Sequence, residues 1–310
     1  MVYVVFQKPG YEATFFQRRL AMILGVASGK GGTGKTFVTT NLAIIGEERM
    51  PLGGEVTVVD CDVEEPNAAL FLKPTISESE DVGILVPHVD EKACTYCGRC
   101  AEVCVWHALA VVGRQVLTFP ELCHGCGSCT RVCPEHAISE VLRVTGTIER
   151  GSAGGIRFAQ GTLRLGEAMA PPVIRELKRS YLPEGDGLTL IDAPPGVSCP
   201  VVESLRGADS VLLVTEPTPF GLHDLKAAVE LVHDELGLPC SVTINRVGIG
   251  DTDIITSFCD ERHIPVVGQI PHDRRIAEVV SRGDVLVRAL PEFRETFERL
   301  FSSVTEGIGS

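Results

Sequence analysis

The sequence predicts an α/β protein: a mostly parallel sheet flanked by helices, interrupted by a small α+β insertion. Three observations predict it. From Met22 onward, short apolar runs alternate with helix-length amphipathic segments, the pattern of βαβ units. Three of those runs end in a glycine loop or in carboxylates, the side of an open sheet where ligand sites gather. Two cysteine runs of identical spacing then break the alternation in the middle of the chain. The expected strands are 23–27, 56–60, 188–192, 210–215, 241–245 and 266–269. The expected helices are 35–47, 171–181, 222–236, 253–263, 273–282 and 291–304.

The first strand runs into Gly29-Lys30-Gly31-Gly32-Thr33-Gly34-Lys35-Thr36. This matches G-x-x-x-x-G-K-[ST] in the strand–loop–helix setting that a P-loop NTPase requires. Glycines let successive backbone N–H groups curl around a phosphate, and the following helix adds its positive end. Lys35 is placed to reach the β- and γ-phosphates, and the Thr36 hydroxyl to ligate Mg²⁺. The strand 56–60 ends in Asp60-Cys61-Asp62, and 188–192 ends in Asp192 before Pro194-Pro195-Gly196. Acidic residues also terminate strands simply as turn formers. Three such elements in one chain favour a shared site.

Between Asp62 and Asp192 lie Cys94-Cys97-Cys100-Cys104 and Cys123-Cys126-Cys129-Cys133, each C-x₂-C-x₂-C-x₃-C. Thiolates at that spacing wrap a cubic iron–sulfur cluster while the last one reaches a second cluster. The runs repeat each other, sharing Gly98/Gly127, Val103/Val132, His107/His136 and Ala108/Ala137. Neither a disulfide framework nor a pair of zinc sites suits spacing this regular, since zinc ribbons separate two C-x₂-C pairs by a longer stretch. Trp106, the only tryptophan, is expected as a buried packing residue, and His107 and His136 as packing or hydrogen-bonding groups.

The whole chain sets bounds. Its 310 residues, 44% hydrophobic, suffice for one large domain and one small one. The formal charge of −13 argues against binding nucleic acid through its phosphates. No run approaches the ~18 apolar residues of a spanning helix, and 291–308 carries Glu292, Glu295, Glu298 and Glu306, so no membrane contact is expected. Residues 1–21 lack a long apolar core and read as a dispensable extension rather than a signal peptide. Cys61, Cys199, Cys240 and Cys259 are scattered, which fits a reducing cytoplasm. Cys199 is read as a buried small residue. The division expected is therefore an extension (1–21), a nucleotide-binding domain in two parts (22–88 and 171–310), a cysteine insert (89–140), and a linking hairpin (141–170) from 142–148, 155–158 and 161–166.

The loop and its carboxylates resemble the deviant-Walker ATPases of the MinD, ParA and Mrp type, over about 22–88 and 141–310. Their most specific mark is the early lysine, here Lys30. The resemblance implies that Lys30 reaches across an ATP-dependent homodimer to the partner's phosphates. It implies that Asp62 orients the attacking water, Asp60 supports the site, and Asp192 acts on Mg²⁺. It also sets the base pocket at Asn245 and at the I-P-x-D turn of Pro271. Two readings of Asn245 stand, an adenine reader or a strand-end turn residue. ATP is favoured over GTP, since no N-K-x-D signature follows.

Residues 90–140 resemble the bacterial dicluster ferredoxins. Their connectivity implies one [4Fe–4S] cluster on Cys94, Cys97, Cys100 and Cys133, and another on Cys123, Cys126, Cys129 and Cys104. Together the resemblances imply a Mg²⁺-dependent ATPase that handles an iron–sulfur or other metal cofactor or matures a partner enzyme. Two other readings are an ATP-gated electron carrier, in the manner of the nitrogenase iron protein, and a positioning ATPase with structural clusters. The protein partner would receive electrons or a metal cofactor. The C-terminal C-x-x-C of Mrp-type scaffolds is absent from this sequence.

Overall fold

The computed structural model describes residues 21–49, 54–181 and 187–305. The expected extension, apart from Ala21, and positions 306–308 of the acidic tail lie outside the described residues. β1 (Ala21–Ala27) leads into α1 (Lys35–Arg49), β2 (Glu55–Asp60), α2 (Ala68–Leu72) and a long β3 (Thr75–Val89). The cysteine segment follows, with α3 (Arg99–Val103), a hairpin of β4 (Leu109–Val112) and β5 (Gln115–Thr118), and α4 (Ser128–Val132). The chain returns through β6 (Ile138–Ala153), β7 (Ile156–Leu163), α5 (Pro171–Tyr181), β8 (Gly187–Asp192), α6 (Cys199–Leu205) and β9 (Ser210–Thr215). It continues with α7 (Pro219–Val229), extended by a π-helical turn over Glu230–Glu235, then β10 (Cys240–Val247) and α8 (Asp253–Glu261). β11 (Val266–Pro271), α9 (Arg274–Ser281), α10 (Leu286–Ala289) and α11 (Arg294–Thr305) complete it.

Among the described residues, nine strands form one sheet in the order β11-β10-β9-β1-β8-β2-β7-β6-β3. From β11 to β7 every pairing is parallel. Strands buried on both faces must be apolar throughout, which explains why these read as continuous runs. Along β8, Leu188 and Leu190 enter the core beneath α1 and α11, whereas Ile191 packs under α5. The apolar face of α11 is spent in that core, with Phe297, Leu300, Phe301 and Val304 buried and Phe297 set edge-on to Phe37 at 5.6 Å.

The segment expected as a linking hairpin is more than a link. β6 and β7 do form a hairpin, but β7 pairs in parallel with β2 and β6 pairs with the edge strand β3, so both belong to the main sheet. Local sequence shows two strands and a glycine turn. Only long-range pairing shows which neighbours they take. β3 starts level with the beginning of β2 and climbs towards the strand C-termini. Pairing with β7 ends at Gly146↔Leu163, after which 83–89 and 138–144 continue as a two-stranded ribbon, about 20 Å at 3.4 Å per residue. The cysteine segment sits at its tip. It packs back on the ribbon through Ala108 and Cys123 against Ile84 and Val86.

α5 packs where the ribbon leaves the sheet. Val173, Ile174, Leu177 and Tyr181 pack with Val82 of β3 and Ile148 of β6. On its other side Lys178, buried, donates to the carbonyls of Glu203 (2.8 Å), Ser204 (2.7 Å) and Arg206 (2.6 Å), which have no partner within α6. Arg175 adds a two-point pair with Glu203 (3.3 and 3.1 Å). Replacing Lys178 with Met should leave those three carbonyls without their donor and cost about 3 kcal/mol, at about 1 kcal/mol per bond. Arg175→Ala removes a largely exposed guanidinium from a carboxylate that keeps Arg206 nearby at 3.8 Å, and should cost less than about 1 kcal/mol. Urea unfolding of both variants checks this, and equal losses would contradict the capping role.

Candidate functional site

The parallel register sets Asp60 of β2 directly beside Asp192 of β8. Asp192 accepts from the Thr36 hydroxyl at 2.5 Å and from the Thr39 hydroxyl at 3.3 Å, so it is tied to the first turn of α1. Thr39 lies one helical turn beyond Thr36, a spacing that could have flagged it in the sequence. Asp60 accepts three backbone N–H groups, from Asp62 (3.1 Å), Asn67 (3.0 Å) and Ala68 (3.0 Å), and so folds the following loop around itself. Both carboxyls are fully buried. Burial, with the charge of Asp192 nearby, pushes Asp60 up to about 8. Burial pushes Asp192 up to about 6 against the pull of Thr36 and Lys35. Asp62 is also raised, chiefly by burial, and opens onto a cleft lined by Glu64, Glu65, Pro194, Pro195 and Ser198.

The glycine loop closes over these groups. Gly34 has φ +99°, and a Cβ there would sit 2.5 Å from Asn245 Nδ2. Gly29 lies against the backbone of α7, where a Cβ would come within 2.0 Å of the Asp224 carbonyl. Lys35 is buried at the start of α1, while Lys30 is about one-third exposed and pairs with Glu216 at 3.5 Å. Glu216 stands just beyond β9 and was not singled out in the sequence, although an acid at a strand end was the signal used for Asp60 and Asp192.

Asn245 and Pro271 both line a cleft of about 450 Å³ beside the loop, with Gly34, Phe37, Arg246 and Ile276. Asn245 is buried, and its Nδ2 donates to the Thr33 carbonyl at 2.8 Å while its Oδ1 accepts the Arg246 backbone N–H at 2.9 Å. Its carboxamide therefore braces the loop, a task outside both readings of the sequence.

The cysteines are sorted across the two repeats. Cys94, Cys97, Cys100 and Cys133 line one small cavity, and Cys104, Cys123, Cys126 and Cys129 line another. The backbone repeats as well. Gly98 and Gly127, Tyr96 and Gly125, and His107 and His136 all have positive φ at equivalent places. Those turns aim N–H groups at sulfur: Tyr96 onto Cys94 (3.4 Å), Gly125 onto Cys123 (3.4 Å), Ala108 onto Cys104 (3.3 Å) and Ala137 onto Cys133 (3.3 Å). The paired histidines thus occupy left-handed positions, which His tolerates better than most residues. Among the described residues, no group of three or more His, Cys, Asp or Glu is close enough to hold a single metal ion.

Two expectations are corrected. Trp106 is 48% exposed and stacks on His124, ring centroids 3.6 Å apart, because the turn after Cys104 carries it to the rim of the second cavity. Cys199 is exposed, since it opens α6 at the loop end instead of facing the sheet.

A glycine loop joining a strand to a helix, with carboxylates supplied by adjacent parallel strands, defines a nucleotide-binding protein of the phosphate-binding-loop class. The profile of the CobQ/CobB/MinD/ParA nucleotide binding domain matches residues 24–287, and the chain belongs to that family. It is 32% identical over 282 residues to the uncharacterized protein MJ0579 of Methanocaldococcus jannaschii, covering 86% of this chain and 92% of that one. The septum site-determining protein MinD of Pyrococcus horikoshii, complexed with Mg-ADP, shares the fold. Its TM-score is 0.57 at 21% identity, over 94% of this chain and 98% of that one. A cytosolic Fe-S cluster assembly factor, the NUBP2 homolog of Culex quinquefasciatus, is 26% identical over 137 residues, 39% of this chain and 52% of that protein. Among the described residues, no helix is long and apolar enough to cross a membrane.

Two predictions follow from this geometry. Both raised carboxyls keep protons in the folded, nucleotide-free protein where an unfolded chain has released them, above the ordinary value of 3.8. The folded state then binds more protons, so its stability should fall as pH rises from about 5 to about 8, read as a falling Tm. Mg²⁺ with ADP should flatten the slope, and a Tm that rises over that interval would refute the assignment. Asn245→Ala should weaken ATP and GTP binding by a similar factor, about tenfold, as expected for a loop brace. A loss confined to ATP would restore the base-reading role.

Proposed function

We propose that this protein is a Mg²⁺-dependent ATPase that dimerises on ATP, holds two [4Fe–4S] clusters, and acts in handling an iron–sulfur or other metal cofactor or in maturing a partner. The observation that carries this reading is the sorting of eight cysteines into two four-cysteine cavities, each taking three from one run and one from the other. That grouping suits two cubes, and the inward-turned N–H groups suit thiolate sulfur, whose charge they would offset. Cys94, Cys97, Cys100 and Cys133 would hold one cluster, and Cys104, Cys123, Cys126 and Cys129 the other. Bound clusters supply one-electron storage or transferable iron and sulfide.

Lys35 and the loop amides would bind the phosphates, and Thr36 with Asp192 would hold Mg²⁺, having the oxygens that ion prefers. Asp62 would orient the attacking water, and Lys30 would serve the partner subunit. The loop over 192–196 leads straight into α6, and α5 ties α6 to β3 and β6 at the base of the ribbon. A γ-phosphate that ordered this loop would therefore have a packed route to the base of the ribbon that carries the cysteine segment. The NUBP2 homolog's name supports cofactor handling, and a cytoplasmic, reducing location goes with the reading. The absent C-x-x-C separates it from scaffolds that bridge a cluster between subunits.

Anaerobically purified protein is expected to hold about eight irons, from two four-iron cubes. Lys35→Ala should abolish ATP binding with the iron retained. Stoichiometric zinc would overturn the metal assignment. Cluster loss to an apo-acceptor on ATP addition supports cofactor handling, and ATP-dependent reduction of an acceptor with the clusters retained would replace it with the electron-carrier reading.

A further inference from the structure

Glu216 is a buried carboxylate, 6% exposed, that faces two cations. Lys30 Nζ stands 3.5 Å from one of its oxygens, and the Arg246 guanidinium bonds the other. Its backbone is fixed. Thr218 N–H donates to the Glu216 carbonyl at 2.8 Å, and Gly221 lies so close that a Cβ would come within 2.2 Å of that oxygen. The cations are less confined, with side chains 33% and 47% exposed for Lys30 and Arg246. Arg246 reaches Glu216 from a backbone with φ +56°, a conformation few arginines adopt. One buried negative charge is therefore matched by two positive ones.

That excess has a physical consequence. A lysine that alone neutralises a buried carboxylate cannot leave without stranding an unpaired charge. With Arg246 on the other oxygen, Lys30 can leave and Glu216 remains paired. We propose that Glu216 is a positioning residue that parks Lys30 in the nucleotide-free subunit, and that Arg246 frees Lys30 to cross to the partner's phosphates. This inference rests on the reading of Lys30 as the residue that acts across the ATP-bound dimer.

Sedimentation of the full-length protein with ATP, together with ADP affinity of the monomer, tests it in wild type, Arg246→Gln, Glu216→Gln and the double variant. Arg246→Gln should weaken ATP-dependent dimerisation about tenfold, because Glu216 then holds Lys30 alone. Glu216→Gln should dimerise at least as tightly as wild type. The double variant should recover to within about threefold of Glu216→Gln, a rescue that simple structural damage would not give. Arg246→Lys, which keeps the charge, should behave as wild type. Additive losses, a loss in Glu216→Gln, or a fall in ADP affinity that accounts for the whole Arg246→Gln effect would overturn the parking role. Wild-type protein that stays monomeric with ATP would instead remove the dimer reading on which it stands.

Discussion

The structure depends on two carboxylates buried side by side at the ends of parallel strands. Asp60 and Asp192 are register partners across β2 and β8, fully enclosed, and each is satisfied by groups that define the site. Asp192 fastens the first turn of α1, which fixes where the glycine loop ends. Asp60 gathers three N–H groups of the next loop, which sets where Asp62 stands. Keeping two such groups out of water is costly unless protons or cations compensate them. The pair therefore fastens the glycine loop and the loop after β2 to the sheet.

The cysteine segment is held by a different kind of constraint. Its ribbon prolongs two strands of the main sheet, so the segment's position is set by strand pairing and not by a free linker. Within it, the geometry is local and duplicated: three left-handed residues per run bend the chain, and the bends turn N–H groups onto sulfur. α5 lies between the two regimes, capping α6 with Lys178 and packing with its apolar face on β3 and β6 at the base of the ribbon.

Much of this was legible beforehand because it is written in short stretches. The loop, the strand-end aspartates and the cysteine spacing each depend on neighbouring residues, and the expected strands and helices fall on those observed to within a few residues. Trp106 and Cys199 were misjudged for one reason: burial is decided by what packs against a residue, and both stand at turns whose direction local sequence leaves open. Glu216 and Lys178 escaped notice because their partners lie far away in the chain. Lys30 is distant from Glu216 in sequence, and the carbonyls that Lys178 caps belong to another helix.

By itself the sequence determined the chemistry available: a phosphate-binding loop, a set of carboxylates and eight cysteines in two runs of identical spacing. These are properties of spacing and residue type, fixed before any long-range contact forms. Only the tertiary structure decided how they are distributed. It made the hairpin part of the sheet and turned Asn245 into a brace for the loop. It also set Lys30 and Arg246 on one carboxylate. Each of those outcomes is a pairing between distant segments. Its energy comes from burial and register, which a local stretch of sequence does not carry.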